Sequence, residues 1–266
     1  MPVLSELTRT LLSASRAMRE GGIGRVTALA RSRADVELKL FAARKTESVT
    51  LDGCTFSLKR IPHGRMKLGL LMGTYEQPER TAVLKRLDPG LPVVELGGCI
   101  GVVACITNKI LKNPSLHVVV EANPNLVPIL EENRICNHCE FEVVNAALAY
   151  NQRDVTFYLS TDFRGGSIQH QKRGMPVSVG TTCLRDIVGK RGFGKFSLIC
   201  DIEGFESDLV LNEADILAKA DTVILETHPQ LVGETRIGLM LNTLKELGFR
   251  HVDEDSSVLV MKQSAA

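Results

Sequence analysis

Short apolar runs recur through the second two-thirds of this chain, and helix-period segments lie between them. Val93-Val94-Glu95-Leu96, His117-Val118-Val119-Val120, Phe141–Val144, Phe196–Cys200 and Thr222–Leu225 read as buried strands. Between them the apolar spacing changes to three and four. Val102 to Lys112 reads as one helix. Pro124 to Ile135 reads as another, with Asn123 as N-cap and Leu126, Ile129 and Leu130 as its buried stripe. Thr235–Leu247 would bury Ile237, Met240, Leu241 and Leu244 and stop at Gly248. Strands alternating with helices predict a mostly parallel sheet covered on both faces. Phe249–Val252 and Ser257–Met261, on either side of Asp253-Glu254-Asp255, read as a closing antiparallel hairpin. Val155–Leu159 and Arg164-Gly165-Gly166-Ser167 read as an insertion between the third and fourth core strands.

Upstream, residues 1–47 read as two amphipathic helices broken at Gly21-Gly22 and Gly24. Ser48 to Lys59 reads as a strand or hairpin turning at Asp52-Gly53. The expected division is an N-terminal extension over 1–70 and a main domain over 71–266.

One turn fixes the chemistry. Val93-Val94-Glu95-Leu96-Gly97-Gly98-Cys99-Ile100-Gly101 runs from a strand through glycines into a helix, and the next strand ends in Glu121. That is a nucleotide-binding βαβ unit, with Glu121 placed to accept hydrogen bonds from a ribose. The spacing G-G-C-I-G does not fit the dinucleotide pattern G-x-G-x-x-G in either register. A cofactor with a ribose but no phosphate fits better, and S-adenosylmethionine is one. The closing hairpin points the same way, since a dinucleotide fold has a parallel sixth strand.

Composition narrows the partners. A hydrophobic share of 44% with 24% charged residues is ordinary for a soluble globular chain. A net charge of +1 supplies no field for nucleic acid or an acidic membrane. Apolar runs of strand length argue against a transmembrane segment. Residues 1–20 lack a signal-peptide core, and seven cysteines, mostly in apolar segments, suggest reduced thiols in a cytoplasm.

From Gly73 to Met261 the chain resembles the FkbM family of S-adenosylmethionine-dependent methyltransferases. The resemblance is carried by Gly73-Thr74-Tyr75-Glu76, the Glu95–Gly101 turn, Glu121-Ala122-Asn123-Pro124 and Asn145-Ala146-Ala147-Leu148. Val155-Thr156-Phe157-Tyr158, Thr181-Thr182-Cys183-Leu184-Arg185-Asp186, Asp201-Ile202-Glu203-Gly204-Phe205-Glu206 and Glu226-Thr227-His228 follow in order. The family usually has Asp-x-Gly-Ala-Asn-x-Gly in the first motif, where this chain has Glu95, Gly98 and Cys99. The resemblance implies a class I methyltransferase fold, Rossmann-like with a seven-stranded sheet. It also implies O-methylation of a sugar or polyketide-like hydroxyl, a small-molecule or glycan acceptor.

The expected cofactor residues are Tyr75, Glu76, Glu95, Gly97, Gly98, Cys99, Gly101, Glu121, Ala122, Asn123, Asn145, Ala146 and Asp201. Gly97, Gly98 and Gly101 would let backbone approach the ligand. Asn145 and Ala146 would border the adenine, and Tyr75 could face the sulfonium. Asp201, Glu203 and His228 are the catalytic candidates, at the ends of the fourth and fifth strands. One carboxylate would meet the methionine amino group and the other the acceptor hydroxyl, unless Glu203 only caps the next helix. His228 titrates near neutrality, unless it merely packs beside Pro229. No metal is assigned, although Asp201, Glu226 and His228 could hold a divalent cation, and Cys136-Asn137-His138-Cys139 offers a weak C-x-x-C. Two rivals stand beside this reading. One is a NAD-dependent oxidoreductase, the other a non-catalytic binding module on a degenerate methyltransferase fold.

Overall fold

The computed structural model describes residues 46–61, 65–159, 166–167 and 175–264. The helices expected within 1–47, and Arg164-Gly165 of the insertion, lie outside them.

Five strands form the parallel core: β3 (Val93–Leu96), β4 (His117–Glu121), β5 (Glu142–Asn145), β10 (Phe196–Cys200) and β11 (Ala220–Glu226). Two more, β12 (Phe249–Asp255) and β13 (Val258–Gln263), complete a seven-stranded sheet of order β12-β13-β11-β10-β3-β4-β5. β13 lies between β11 and β12 and runs antiparallel to both. This is the expected Rossmann-like α/β architecture with its antiparallel closing hairpin.

Strand residues alternate between two covered faces. Val94, Leu96, Leu198, Cys200, Val223 and Leu225 share one apolar cluster with α5 (Leu184–Arg191), α6 (Glu206–Asn212) and α9 (Glu234–Glu246). Val93, Ile199, Ile224 and Val260 face the other way, against Val83 of α2 (Gln77–Arg86) and Val103 of α3 (Val102–Ile110). Helix α1 (Arg65–Met72) precedes these, and short helices α7 (Ala214–Leu217) and α8 (Pro229–Val232) fill connections. Among the described residues, no helix is long and apolar enough to cross a membrane.

The inserted strands β6 (Ala147–Leu148), β7 (Asp154–Leu159), β8 (Gly166–Ser167) and β9 (Met175–Thr182) make a separate four-stranded sheet. The acidic triplet Asp253-Glu254-Asp255 belongs to β12, and the hairpin turns at Ser256, whose φ is 58°. An edge strand open to solvent accepts those charges. Helix α4 (Val127–Cys136) starts three residues later than the sequence suggests. Asn123 Oδ1 accepts from Asn125 N at 3.0 Å, so Pro124 opens an Asx turn and the helix follows it.

Asp52-Gly53, with φ of 46° and 80°, closes the hairpin of β1 (Ser48–Leu51) and β2 (Cys54–Ser57). Asn133 of α4 and Asn137, which caps the helix end, hold its outer edge. Thr55 N donates to Asn137 Oδ1 at 2.7 Å, and Asn137 Nδ2 donates to Thr55 O at 2.8 Å. Ser57 N donates to Asn133 Oδ1 at 3.1 Å, while Asn133 Nδ2 donates to Ile100 O at 2.8 Å. The helix thereby links the hairpin to the glycine turn. Asn137→Ala should cost about 1–2 kcal/mol, because it removes two bonds to the backbone of the exposed Thr55, which water can replace in part. A urea melt measures the loss, and hydrogen exchange should accelerate at Thr55.

Candidate active site

The carboxyl ends of β3, β4, β10 and β11 bring most of the expected residues together. The chain order reverses between β3 and β10, which is where open α/β sheets place a ligand. On one side of that crevice stands Glu121. Its Oε2 accepts from Cys99 N and its Oε1 from Asn123 N, both at 2.6 Å. Each oxygen keeps a further lone pair, so the carboxylate is fixed in place and can still accept from a diol. Burial pushes its pKa up to about 7 against those backbone bonds. Asn145 Nδ2 donates to Glu121 O at 2.7 Å, so Asn145 steadies the chain beside it while Ala146 is buried beneath.

The glycines have a different first reason from the one the sequence suggests. A Cβ on Gly97 would lie 1.8 Å from the Asp201 carbonyl oxygen. One on Gly98 would lie 2.3 Å from Val119 Cγ1 and 2.9 Å from Leu130 Cδ1. These clashes are with protein, so both glycines serve the packing of the turn on β10, β4 and α4. Gly101, at φ 83°, precedes α3.

Tyr75 and Glu76 do reach this turn. The Tyr75 hydroxyl and Cys99 Sγ are 3.2 Å apart, so the thiol has a polar partner. Glu95 does not open on the crevice. It is 2% exposed, with Oε2 3.4 Å from His117 Nε2. Burial raises Glu95 to about 8 and lowers His117 to about 3, so the pair is uncharged near neutral pH.

Across the crevice is a concentration of acid. Burial, then Glu226 and Glu203, raise Asp201 well above the usual carboxylate range. Burial also lifts Glu76 and Glu79 to about 8, with Glu226 contributing to both. Arg80, whose charge partly offsets the rise at Glu76, bonds elsewhere: its Nη2 donates to Gly73 O at 2.8 Å and its Nε lies 3.3 Å from Asp52. A positively charged occupant would favour the ionised forms of these carboxyls.

His228 sits inside this acid. Its Nδ1 is 3.0 Å from Oε1 of Glu206, a fully buried carboxylate that also accepts from Ile202 N and Gly204 N at 3.1 Å. Its Nε2 lies 3.6 Å from both Asp201 Oδ1 and Glu203 Oε2. Burial is the largest influence on His228 and lowers its pKa, but the bond to Glu206 and the charges of Glu206, Glu203 and Glu226 leave it raised. Glu206 is the member of this cluster that the sequence reading did not single out. Its signal was a third acid in Asp201-Ile202-Glu203-Gly204-Phe205-Glu206.

Among the described residues, Asp201, Glu203 and His228 are the group whose ligand atoms fall within 4.8 Å of one another. Glu203 takes the place expected for Glu226, whose Oε1 instead accepts from Ser257 Oγ at 2.8 Å. The C-x-x-C segment is a helix end: Cys136 is exposed, Cys139 is buried, and His138 has a φ of 54°.

No protein-family model matches this chain, and no curated protein does. Solved structures of similar topology include a ribosomal protein L11 methylase from Lactobacillus delbrueckii subsp. bulgaricus. It has 10% identity and a TM-score of 0.43, over 72% of this chain and 80% of that one. M. jannaschii TYW2 in complex with AdoMet has 16% identity and a TM-score of 0.42, over 80% and 82%. A magnesium protoporphyrin IX methyltransferase from Synechocystis with bound SAM has 10% identity and a TM-score of 0.42, over 70% and 76%.

Proposed function

We propose that this protein transfers a methyl group from S-adenosylmethionine to an acceptor hydroxyl. The observation that carries the reading is the arrangement of carboxyl groups on the two sides of one crevice. Glu121, fixed by two backbone N–H groups, faces one side, and Asp201, Glu203, Glu76 and Glu226 converge on the other. S-adenosylmethionine has a ribose diol at one end and two cationic centres, sulfonium and ammonium, at the other. NAD has no such cationic pair beyond its ribose, and the glycines here pack against protein.

Transfer requires the acceptor oxygen, the methyl carbon and the sulfur in line, and alignment supplies much of the rate. The proton that the acceptor loses would leave at the Asp201–Glu203–His228 cluster. The motifs that resemble the FkbM family support a sugar or polyketide-like hydroxyl as acceptor. A labelled-methyl screen across sugars, small metabolites and RNA would identify it.

Glu121→Gln tests the cofactor. It should weaken S-adenosylhomocysteine binding by about 1.5–3 kcal/mol, the range for hydrogen bonds to a charged group. Calorimetry on variant and wild type, with NADH as a second ligand, gives the answer. Unchanged affinity in a folded variant, or tight binding of NADH alone, sinks the reading.

A further inference from the structure

We propose that Asp201, Glu203 and His228 bind one divalent transition-metal ion. The ion's chemical role, which rests on the methyl-transfer reading, is to hold an oxygen of the acceptor. The observations concern the three side chains themselves. The His228 side chain is 7% exposed, and its Nδ1 is committed to the buried Glu206 carboxylate. Nδ1 therefore carries a proton towards Glu206, and Nε2 is the nitrogen that faces Asp201 and Glu203. A carboxylate behind an imidazole is the usual backing of a metal-bound histidine.

The three donors face one another slightly wider apart than an ion would hold them, within 4.8 Å. Nε2 is 3.6 Å from each neighbouring oxygen, too far for a hydrogen bond to either. Donors held at ~2.1 Å from one ion stand ~3.0–3.5 Å from each other in octahedral or tetrahedral arrangements. An imidazolium would instead close on one carboxylate. Asp201 Oδ1 is buried and makes no hydrogen bond, an oxygen aimed at an unfilled role. Two carboxylates with one imidazole suit Mn²⁺ or Zn²⁺ better than Mg²⁺, which prefers oxygen alone.

In the reaction, an acceptor hydroxyl on the ion would lose its proton to water, since a bound cation lowers the pKa of such a group. The oxygen lone pair then forms the bond to the methyl carbon. The carbon–sulfur bond breaks, and its electron pair stays on sulfur as a neutral thioether.

The test titrates the full chain with Mn²⁺ alone, following the aquo-ion signal by electron paramagnetic resonance. One saturable site is expected. Glu203→Gln and His228→Ala should each weaken it more than tenfold, while Glu131→Gln on the surface of α4 leaves it unchanged. Glu203 is half-buried in a loop, so its variant keeps the test valid should Asp201→Asn fail to fold. Mn²⁺ and S-adenosylhomocysteine should bind together. No saturable site for Mn²⁺ or Zn²⁺, or unchanged affinity in both variants, overturns the proposal. Mutually exclusive binding also overturns it, because Asp201 and Glu203 would then serve the cofactor's ammonium alone. Mn²⁺ binding without S-adenosylhomocysteine binding would uphold the ion site and defeat the cofactor reading.

Discussion

Gly97→Ala is expected to destroy the folded protein, a larger effect than the loss of a ligand. The added Cβ would meet the Asp201 carbonyl oxygen at 1.8 Å. That oxygen cannot retreat easily, because Asp201 N donates to Leu96 O at 2.9 Å and binds the two strand ends together. The clash is backbone against side-chain root, so no rotamer relieves it. The φ of 94° adds strain for any residue with a Cβ. Together these should cost at least about 4 kcal/mol, out of the ~5–15 kcal/mol that a typical domain has. Soluble yield and a thermal melt measure it. A melting point within a few degrees of wild type would mean that the turn is not built as described. Binding assays on Gly97 variants therefore report on folding first.

His228→Ala should do the opposite: spare the fold and the cofactor, and remove the chemistry. The ring touches Asp201, Glu203 and Glu206, on the side of the crevice away from Glu121. Turnover should fall roughly 10²–10⁴-fold, the range for losing a group that helps the acceptor shed its proton. S-adenosylhomocysteine affinity should stay within about threefold. Glu206→Gln separates holding from acting: its amide can still engage the ring, so part of the activity should survive. Steady-state kinetics with an identified acceptor decides this. A loss below about fivefold for His228→Ala would take the ring out of the reaction.

Four of the five parallel strands were legible because they are buried on both faces and therefore read as continuous apolar runs, whereas β5 at the sheet edge is partly exposed. Glu121 was legible because a strand-end acid after a glycine turn has few other uses. Contacts between segments distant in sequence were not. Glu206 and His228 are 22 residues apart and meet only once β10 and β11 pair. Asn133 and Asn137 look like solvated helix positions until β2 is laid beside them. Glu95 reads as a ligand residue at the end of its strand, yet it turns to His117, which the sequence gives no reason to pair with it. Periodicity tells which face a side chain takes, but the partner on that face depends on topology.

A two-stranded ribbon normally offers its outer strand to any passing chain, since its unpaired amides and carbonyls can template another strand. In this protein the outer edge of β2 meets a row of asparagine side chains and is thus closed by a helix. Loss of those amides would do more than loosen the hairpin. It would create an adhesive edge, so Asn133→Ala/Asn137→Ala chains should self-associate through β2 as they are concentrated.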